Sequence, residues 1–193
     1  MASVWLLEPN GLPGALLEYE VREVRVNRDK DYSAYVGARW SALVRSAVLL
    51  GCSPQEAEDL VQTTLTRCYT SWDRVARASN REAYVYRVLV NGMHESRRRR
   101  WWREQPTTAL PDSASTDHAD GVVLRQSLRS ALGGLSEDHR KVLVLRFFAD
   151  LTEREIAEVL GVPAGTVKSR VSRALALLST DVRLTDHPDA RSS

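Results

Sequence analysis

The segment from Thr152 to Val171 is the part of this sequence whose residue types and spacing best suit a specific chemical task. Thr152 and Glu155 have the spacing of a capping box, in which each side chain bonds the backbone N–H of the other residue at the start of a helix. Gly161 can adopt the left-handed conformation that a tight turn between helices requires, and the small Ala157 lets a second helix cross closely. The segment therefore predicts a helix-turn-helix.

The second helix of this motif has a polar and basic outer face, because Val167 and Val171 form the apolar stripe that turns inward. Polar and cationic side chains on such a face can bond base edges in the major groove and the phosphates beside it. The alternative is an ordinary helical hairpin with a solvated basic face. The candidate DNA-contacting residues are Thr166, Lys168, Ser169, Arg170, Ser172 and Arg173.

A run of arginines joined to two tryptophans, from Arg97 to Arg103, is the second pattern with a chemical meaning. It is preceded by Tyr84 and Tyr86, so that cations able to neutralise phosphates stand near rings able to stack on exposed bases. The alternative places the tryptophans in the core and the arginines in water. The pattern favours contact with nucleic acid.

Two helices are predicted ahead of this run. From Tyr32 the apolar residues recur at three- and four-residue steps as far as Leu50, and Gly51 is a typical residue at which a helix stops. Ser53 and Glu56 then have the spacing of a capping box for the next helix. The start of that second helix is therefore well specified.

The rest of the first half contains a less regular pattern. The alternation from Leu17 to Arg22 indicates a short strand or a frayed segment. A loop is predicted from Asp73 to Asn80, followed by a helical run from about Arg81 to Trp102. Residues 1–30 thus form an N-terminal extension to which no role is assigned.

The composition of residues 105–121 predicts a flexible linker, since prolines, aspartates and small polar residues are present without any lysine or arginine. Three shorter helical patterns and a longer one follow, and residues 181–193 form a polar tail. The predicted fold is all-α, with two small helical domains at 31–104 and 122–180 joined by the linker.

The overall charge is small, because 27 lysines and arginines nearly balance 25 aspartates and glutamates. Binding to nucleic acid must therefore depend on where the cations cluster. Cys52 and Cys68 fit no zinc pattern and are predicted to be buried thiols in a reducing compartment. The sequence has neither a long apolar run nor the basic start of a signal peptide, so a cytoplasmic location is expected.

No catalytic pattern emerges from the sequence. It contains no phosphate-binding GxxxxGK[ST] loop and no convincing pairing of a nucleophile with a base, so neither an enzyme nor a bound cofactor or metal is predicted. A DNA-processing enzyme would need clustered metal-binding carboxylates, whereas the acidic residues here resemble helix caps and solvated faces. A free-standing regulator that binds an operator as a dimer is the main alternative function.

Four stretches together resemble one family of proteins. They are Ala57–Thr63, Tyr84–Asn91, the arginine run and Gly165–Arg170. In this order they are similar to the extracytoplasmic-function group of the sigma-70 family, and within it to the actinobacterial SigE-like sigma factors. Gly92 and Met93 depart from the pattern, since stronger helix formers are expected at both positions. The resemblance implies a sigma factor that directs core RNA polymerase to promoters.

The resemblance also implies which residues form each domain and each binding site. It implies that residues 31–104 form a σ2-like domain and that residues 122–180 form a σ4-like domain, which reads the minus-thirty-five duplex. The residues implied to contact core polymerase, at the clamp helices of β′, are Asp59, Gln62, Thr63 and Arg67. The residues implied to hold the melted minus-ten strand are Asn80, Tyr84, Arg87, Asn91, Arg97, Arg98, Arg100 and Trp101. The β flap, promoter DNA and an anti-sigma protein are the further candidate partners, and no membrane contact is implied.

Overall fold

A computed structural model describes the backbone of residues 14–103 and 119–180, and the side chains of residues 24–99 and 126–180. These described residues form eight α-helices and no strand, which confirms the all-α prediction. The helices are α1 (Gly14–Leu49), α2 (Pro54–Thr70), α3 (Trp72–Ala76), α4 (Arg81–Arg103), α5 (Ala119–Gly133), α6 (Glu137–Phe147), α7 (Glu153–Leu160) and α8 (Ala164–Ser179).

The described residues divide into two compact units, one ending at Arg39 and the other beginning at Trp40. The second unit therefore contains most of both predicted domains, and the domain boundaries at 31–104 and 122–180 stay a prediction. The helix α5 begins at Ala119, which lies inside the segment predicted as a linker. The rest of that segment and the predicted tail at 181–193 lie outside the described residues.

The prediction of a strand or frayed segment at Leu17 to Arg22 is wrong, because these residues lie within α1. Leu17, Val21 and Val24 are spaced by four and three residues, so the same apolar positions also fit one face of a helix. A six-residue window cannot separate the two periods. The predicted end of α1 is confirmed, since the helix stops at Leu49 just before Gly51.

The predicted start of α2 is also confirmed. The hydroxyl of Ser53 accepts a hydrogen bond from the Glu56 N–H at 3.3 Å, and the Glu56 carboxylate accepts one from the Ser53 N–H at 2.8 Å. The burial predicted for Cys52 and Cys68 is confirmed, and the two thiols form no disulfide. Burial raises the pKa of Cys68 to about 11, so this thiol stays protonated and unreactive near neutral pH.

The helices α2 and α4 pack closely against each other. A Cβ atom added to Gly92 in α4 would lie only 3.1 Å from Cδ1 of Leu60 in α2. The departure from the family pattern at Gly92 therefore has a physical reason, since the missing side chain lets the two helices approach. Tyr86 of α4 is completely buried, and its hydroxyl is hydrogen-bonded to Ser46 Oγ at 2.8 Å.

The segment predicted as a loop from Asp73 to Asn80 begins instead with the short helix α3. Trp72 and Val75 of this helix are both buried, with 1% and 0% of their surfaces exposed. The burial of two apolar side chains in one turn fixes a segment whose sequence is otherwise polar. The loop is therefore shorter than predicted.

The helix-turn-helix is confirmed. Thr152 Oγ1 accepts from the Glu155 N–H at 3.3 Å, and Glu155 Oε2 accepts from the Thr152 N–H at 2.8 Å, which completes the predicted capping box of α7. Gly161 follows α7 in the left-handed conformation, with φ +65°. Ile156 and Val167 are fully buried and hold α7 and α8 together.

Gly161→Ala is expected to lower the free energy of unfolding by about 1–2 kcal/mol, because an L-residue in the left-handed region brings its Cβ against the following carbonyl. Urea denaturation followed by circular dichroism measures this loss. Gly165→Ala is the control, since Gly165 lies within α8 and its added Cβ meets nothing within 4 Å. Equal stability of the two variants would contradict the turn geometry.

Candidate nucleic-acid and polymerase interfaces

The outer face of α8 presents most of the residues predicted to contact the minus-thirty-five duplex. Lys168, Ser172 and Arg173 are exposed, and Thr166 and Ser169 are half-buried. The Ser169 hydroxyl donates a hydrogen bond to the Thr166 carbonyl at 3.0 Å, which ties that side chain to its own helix. The two exposed cations can therefore reach toward a phosphate or a base edge without losing an ion pair within the described residues.

Arg170 is placed differently from the other residues of this set. Its guanidinium pairs with the Asp138 carboxylate of α6 at 2.6 Å, and only 24% of its side chain is exposed. The pair holds α8 against the start of α6. The structure therefore gives Arg170 a contact inside the protein and leaves it outside the exposed basic face.

Three of the residues predicted to hold the minus-ten strand lie together at the start of α4. Asn80 Oδ1 accepts a hydrogen bond from the Ala83 N–H at 3.1 Å, so the side chain caps the helix. The Arg87 guanidinium lies 5.2 Å from the centre of the Tyr84 ring, within the range of a cation–π contact. Asn80, Tyr84 and Arg87 line one wall of a cleft of about 460 Å³.

The remaining minus-ten candidates are spread along α4. Asn91 and Arg98 are exposed, while Arg97 is half-buried. The Arg97 guanidinium donates to the Leu50 carbonyl at 3.1 Å. The side chains of Arg100 and Trp101 lie outside the described residues. The structure therefore does not gather this set into one surface.

The expectation that Tyr86 helps to stack on bases is wrong, because the residue is fully buried and hydrogen-bonded to Ser46. Tyr84 is half-buried and lines the cleft. The two tyrosines are neighbours on opposite sides of α4, so only one of them can face a ligand. Helical spacing alone indicates that they differ, but it does not say which one is buried.

The outer face of α2 carries the residues predicted to contact core polymerase, and Asp59, Gln62, Thr63 and Arg67 are all exposed. Arg67 forms an ion pair with Glu95 of α4 at 2.9 Å. The hydrogen bond and the charge of Arg67 lower the pKa of the Glu95 carboxyl, so this pair persists across the neutral range. Asp59, Gln62 and Thr63 make a contiguous polar surface beside it.

A polar cluster that the sequence did not predict connects α4 with α6. Glu137 bonds Lys141 Nζ at 2.6 Å and Arg97 Nη1 at 2.9 Å. Lys141 Nζ also lies 2.8 Å from His94 Nε2, and only 7% of the Lys141 side chain is exposed. Desolvation and the neighbouring Lys141 charge lower the pKa of His94, which favours a neutral imidazole that accepts from the ammonium. No local pattern signals contacts between residues this far apart in sequence.

A second unpredicted contact connects the loop before α4 with α7. Asn80 Nδ2 donates to Glu155 Oε1 at 2.6 Å, while the other carboxylate oxygen caps Thr152. The bonds from Asn80 and Thr152 lower the pKa of Glu155, because they favour its charged form. The sequence predicted Glu155 only as a cap, and its second role depends on the tertiary packing of α4 against α7.

Two other features, a metal site and a membrane-spanning helix, are absent from the described part of the chain. Its His, Cys, Asp and Glu residues form no group that could hold a metal ion. None of its helices is both long and apolar enough to cross a membrane.

Comparison with known families identifies two regions of the chain. The family described as sigma-70 region 2 matches residues 32–103, and the family described as sigma-70 region 4 matches residues 125–178. The first match covers α2 to α4, and the second covers the helix-turn-helix. These two residue ranges are called region 2 and region 4.

Similar proteins extend over most of the chain. The RNA polymerase sigma-E factor of Streptomyces avermitilis is 39% identical over 161 residues, which cover 81% of this chain and 87% of the relative. The sigma-E factor of Streptomyces coelicolor is 38% identical over 157 residues, covering 79% and 86%. The sigma factor RpoE of Bartonella quintana, solved with the anti-sigma factor NepR, superposes with a TM-score of 0.65 at 27% identity, covering 81% of this chain and 98% of that one. CnrH, solved with the cytosolic domain of CnrY, shares the fold with a TM-score of 0.59 at 24% identity, covering 78% and 86%.

An all-helical chain with these two regions in this order is an RNA polymerase sigma factor, a non-enzymatic protein that directs transcription initiation. The chain belongs to the extracytoplasmic-function group of the sigma-70 family. The resemblance to actinobacterial SigE-like factors is confirmed by the Streptomyces relatives. The region 2 match sets the chain apart from a free-standing regulator, which shares only the helix-turn-helix.

Proposed function

We propose that this sigma factor reads the minus-thirty-five duplex with α8, holds the melted minus-ten strand beside α4 and binds core polymerase through α2. The observation that carries the proposal is the exposed basic face of α8 behind a well-capped α7, with Lys168 and Arg173 directed outward. A recognition helix needs such a face because base edges and phosphates lie on either side of it in the major groove.

The proposed minus-ten site combines polar groups with an aromatic ring at the start of α4. Asn80 can bond a base edge through its amide, and Tyr84 offers a partly exposed ring on which a base can stack. Arg87 and the exposed Arg98 supply positive charge for the backbone of the strand. This combination suits single-stranded DNA, whose bases are accessible for stacking.

The proposed core-binding surface is the polar face of α2 formed by Asp59, Gln62, Thr63 and Arg67, with the clamp helices of β′ as its partner. In region 4 some apolar side chains are exposed instead, including Phe147 at 58% and Leu177 at 50%. Phe148 and Leu175 are exposed beside them, and exposed apolar side chains mark a protein contact when they form a contiguous patch. We assign them to the β flap.

An anti-sigma protein is a further proposed partner. Two sigma factors of the same fold have been solved in complexes, one with the anti-sigma factor NepR and one with the cytosolic domain of CnrY. We place this sigma factor in the cytoplasm, where core polymerase acts. Residues 31–104 and 122–180 are the proposed functional domains.

Run-off transcription with purified core polymerase tests the proposed promoter reading. The template is the upstream region of the protein's own gene, and the matched template has its minus-thirty-five segment scrambled. We expect a discrete transcript that requires the sigma factor and is strongly reduced on the scrambled template. Equal transcription from both templates would contradict duplex reading by α8, and core-independent DNA binding as a dimer would favour a regulator.

Arg98→Gln is expected to reduce the salt dependence of promoter binding without changing sequence preference. One lost phosphate contact lowers the slope of log affinity against log salt concentration by about 0.7–0.9. Fluorescence anisotropy of holoenzyme on a forked promoter fragment measures the slope. Arg99→Gln is the control, because Arg99 is already paired with Glu95 at 3.4 Å. An Arg98→Gln slope equal to wild type would place this side chain away from DNA.

A further inference from the structure

Arg170 lies at a border on the surface of the recognition helix α8. The helices α6 and α8 pack closely against each other, and Val167 and Ala174 of α8 are fully buried. With about 100° of rotation per residue, Arg170 stands about 40° from Ala174 and about 60° from Arg173 around the helix axis. Arg170 therefore lies between the buried stripe of α8 and its exposed basic face.

An arginine at this border can bond in two directions. Its long side chain can turn inward to an acceptor of the protein, or outward beside Arg173 to the phosphates of a bound duplex. In the structure it turns inward, since Nη2 of Arg170 lies 2.6 Å from Oδ2 of Asp138 and 24% of the Arg170 side chain is exposed. Lys168 and Arg173 are exposed. Asp138 thus decides which cations of α8 face outward.

The Asp138 carboxylate is presented from a well-fixed helix start. The Ser136 hydroxyl caps α6 by accepting a hydrogen bond from the His139 N–H at 3.4 Å. The Arg140 guanidinium donates to the Leu135 carbonyl at 3.2 Å, which ties the first turn of α6 to the chain before it. A carboxylate in the first turn of a helix is also favoured by the partial positive charge of the helix start. The carboxylate is therefore held in place before it meets the guanidinium.

The pair of Arg170 with Asp138 matters more for DNA binding than for stability. The Asp138 side chain is 54% exposed, and ion pairs that are open to water add little to folding. In DNA binding, by contrast, each cation that meets a phosphate adds affinity for every sequence. A guanidinium engaged by Asp138 must leave the carboxylate before it can neutralise a phosphate. The pair therefore removes a sequence-independent contact from α8.

We infer that Asp138 is a positioning residue that sets the specificity of duplex reading. Acting through Arg170, it withholds one cation from the phosphates and holds α8 at a fixed angle to α6. The first effect lowers affinity for all DNA, and the second raises preference for the cognate upstream element. This role of Asp138 rests on the proposed reading of the minus-thirty-five duplex by α8.

The angle of α8 affects base contacts more than phosphate contacts. Bidentate recognition of a base requires two N–H groups of an arginine to reach two acceptors at hydrogen-bond distance. A phosphate instead attracts a cation through its charge, over a wider range of distances. Arg173 lies within one turn of Arg170 on α8, so a tilt of the helix at the Asp138 contact moves the Arg173 guanidinium. Release of Arg170 should therefore weaken base reading by Arg173.

Holoenzymes with sigma-factor variants test this role on two promoter templates, one with and one without the upstream element. Fluorescence anisotropy gives the affinity for each template over a range of salt concentrations. Asp138→Asn removes the negative charge and keeps the size of the side chain. Asp150→Asn is the matched control, because Asp150 is exposed at the turn before α7 and asparagine tolerates its φ of 53°.

For Asp138→Asn we expect two changes. On the template without the element, the slope of log affinity against log salt concentration should steepen by about 0.9, because the released Arg170 neutralises one more phosphate. The preference for the template with the element should fall about fivefold or more, as expected for one weakened base contact. Asp150→Asn should leave both quantities at their wild-type values.

Substitutions at Arg170 separate the two effects. Arg170→Gln should lower the preference in the same way and leave the slope unchanged, since the wild-type cation is held by Asp138. The double variant Asp138→Asn, Arg170→Gln should lose the extra slope of Asp138→Asn, because the cation that caused it is gone. Circular dichroism verifies that each variant has the helix content of the wild type.

Three results would overturn the role of Asp138. The first is an Asp138→Asn variant that changes only one of the two quantities, or neither. The second is a shallower slope for Arg170→Gln, which would place Arg170 on a phosphate in the wild-type complex. The third is an extra slope that persists in the double variant.

Failure of the proposed function is seen separately, with Arg173→Ala on the same two templates. Equal losses on both templates for Arg173→Ala mean that α8 does not read bases, whatever Asp138 does. If the loss for Arg173→Ala depends on the element while Asp138→Asn behaves as wild type, duplex reading by α8 stands and only the role of Asp138 is wrong.

Discussion

Asp59→Arg is expected to weaken binding to core polymerase by more than about 2 kcal/mol, which is about 30-fold in affinity. Asp59 is exposed on α2 beside Gln62 and Thr63, so the wild-type side chain is available to a partner without rearrangement. Reversing its charge at a docked surface places a cation where the partner is shaped for an anion, and such mismatches cost several kcal/mol. Titration of fluorescently labelled sigma factor with core polymerase measures the loss.

Glu58→Arg is the matched control for this experiment. Glu58 is the preceding residue of α2, is also exposed and undergoes the same charge change, but it points about 100° away around the helix axis. We expect a loss of less than about 0.5 kcal/mol for Glu58→Arg, typical of a solvated position. Equal affinity of Asp59→Arg and wild type, with both proteins folded, would show that core docks elsewhere.

The helix boundaries set by capping residues could be predicted from the sequence. The boxes at Ser53 and at Thr152 form as expected, and Gly161 adopts the left-handed conformation. Each of these features is decided by side chains within four residues of one another. Local interactions of this kind are specified by the neighbouring residues of the sequence, and they do not depend on which other helices pack nearby.

Short segments without such signals were predicted less well. The window from Leu17 to Arg22 fits two periods, and only its continuation through α1 resolves the choice. The helix α3 forms because Trp72 and Val75 enter the core, although the surrounding residues favour a loop. In both cases the outcome depends on neighbours that lie outside the window.

The site was predictable in its exposed residues and unpredictable in its long-range contacts. The outer faces of α2 and α8 follow from helical periodicity. The hydrogen bond of Tyr86 to Ser46 and that of Asn80 to Glu155 join residues 40 and 75 positions apart. The ion pair of Arg170 with Asp138 likewise joins two different helices. Such contacts are set by tertiary packing, and no spacing rule indicates them.

Arg173→Ala is expected to lower affinity by about 1–3 kcal/mol on promoters that carry the cognate minus-thirty-five element, because one specific base-edge contact is worth this much. Arg173 is exposed on α8, whereas Arg170 of the same helix is engaged by Asp138. We therefore expect the larger effect on DNA binding at position 173. Binding to core should be unchanged, since Arg173 belongs neither to the polar face of α2 nor to the exposed apolar side chains assigned to the β flap.

Arg129→Ala separates a specific contact from the loss of one positive charge. Arg129 is exposed on α5, outside the helix-turn-helix, so its removal should weaken binding slightly and equally on all templates. Holoenzymes with either variant are compared on matched promoters with and without the upstream element. The loss for Arg173→Ala should appear only when the element is present, because a base contact needs its base. Equal losses on both templates would mean that Arg173 meets only the phosphate backbone, and the division of reading between α8 and α4 would then be wrong.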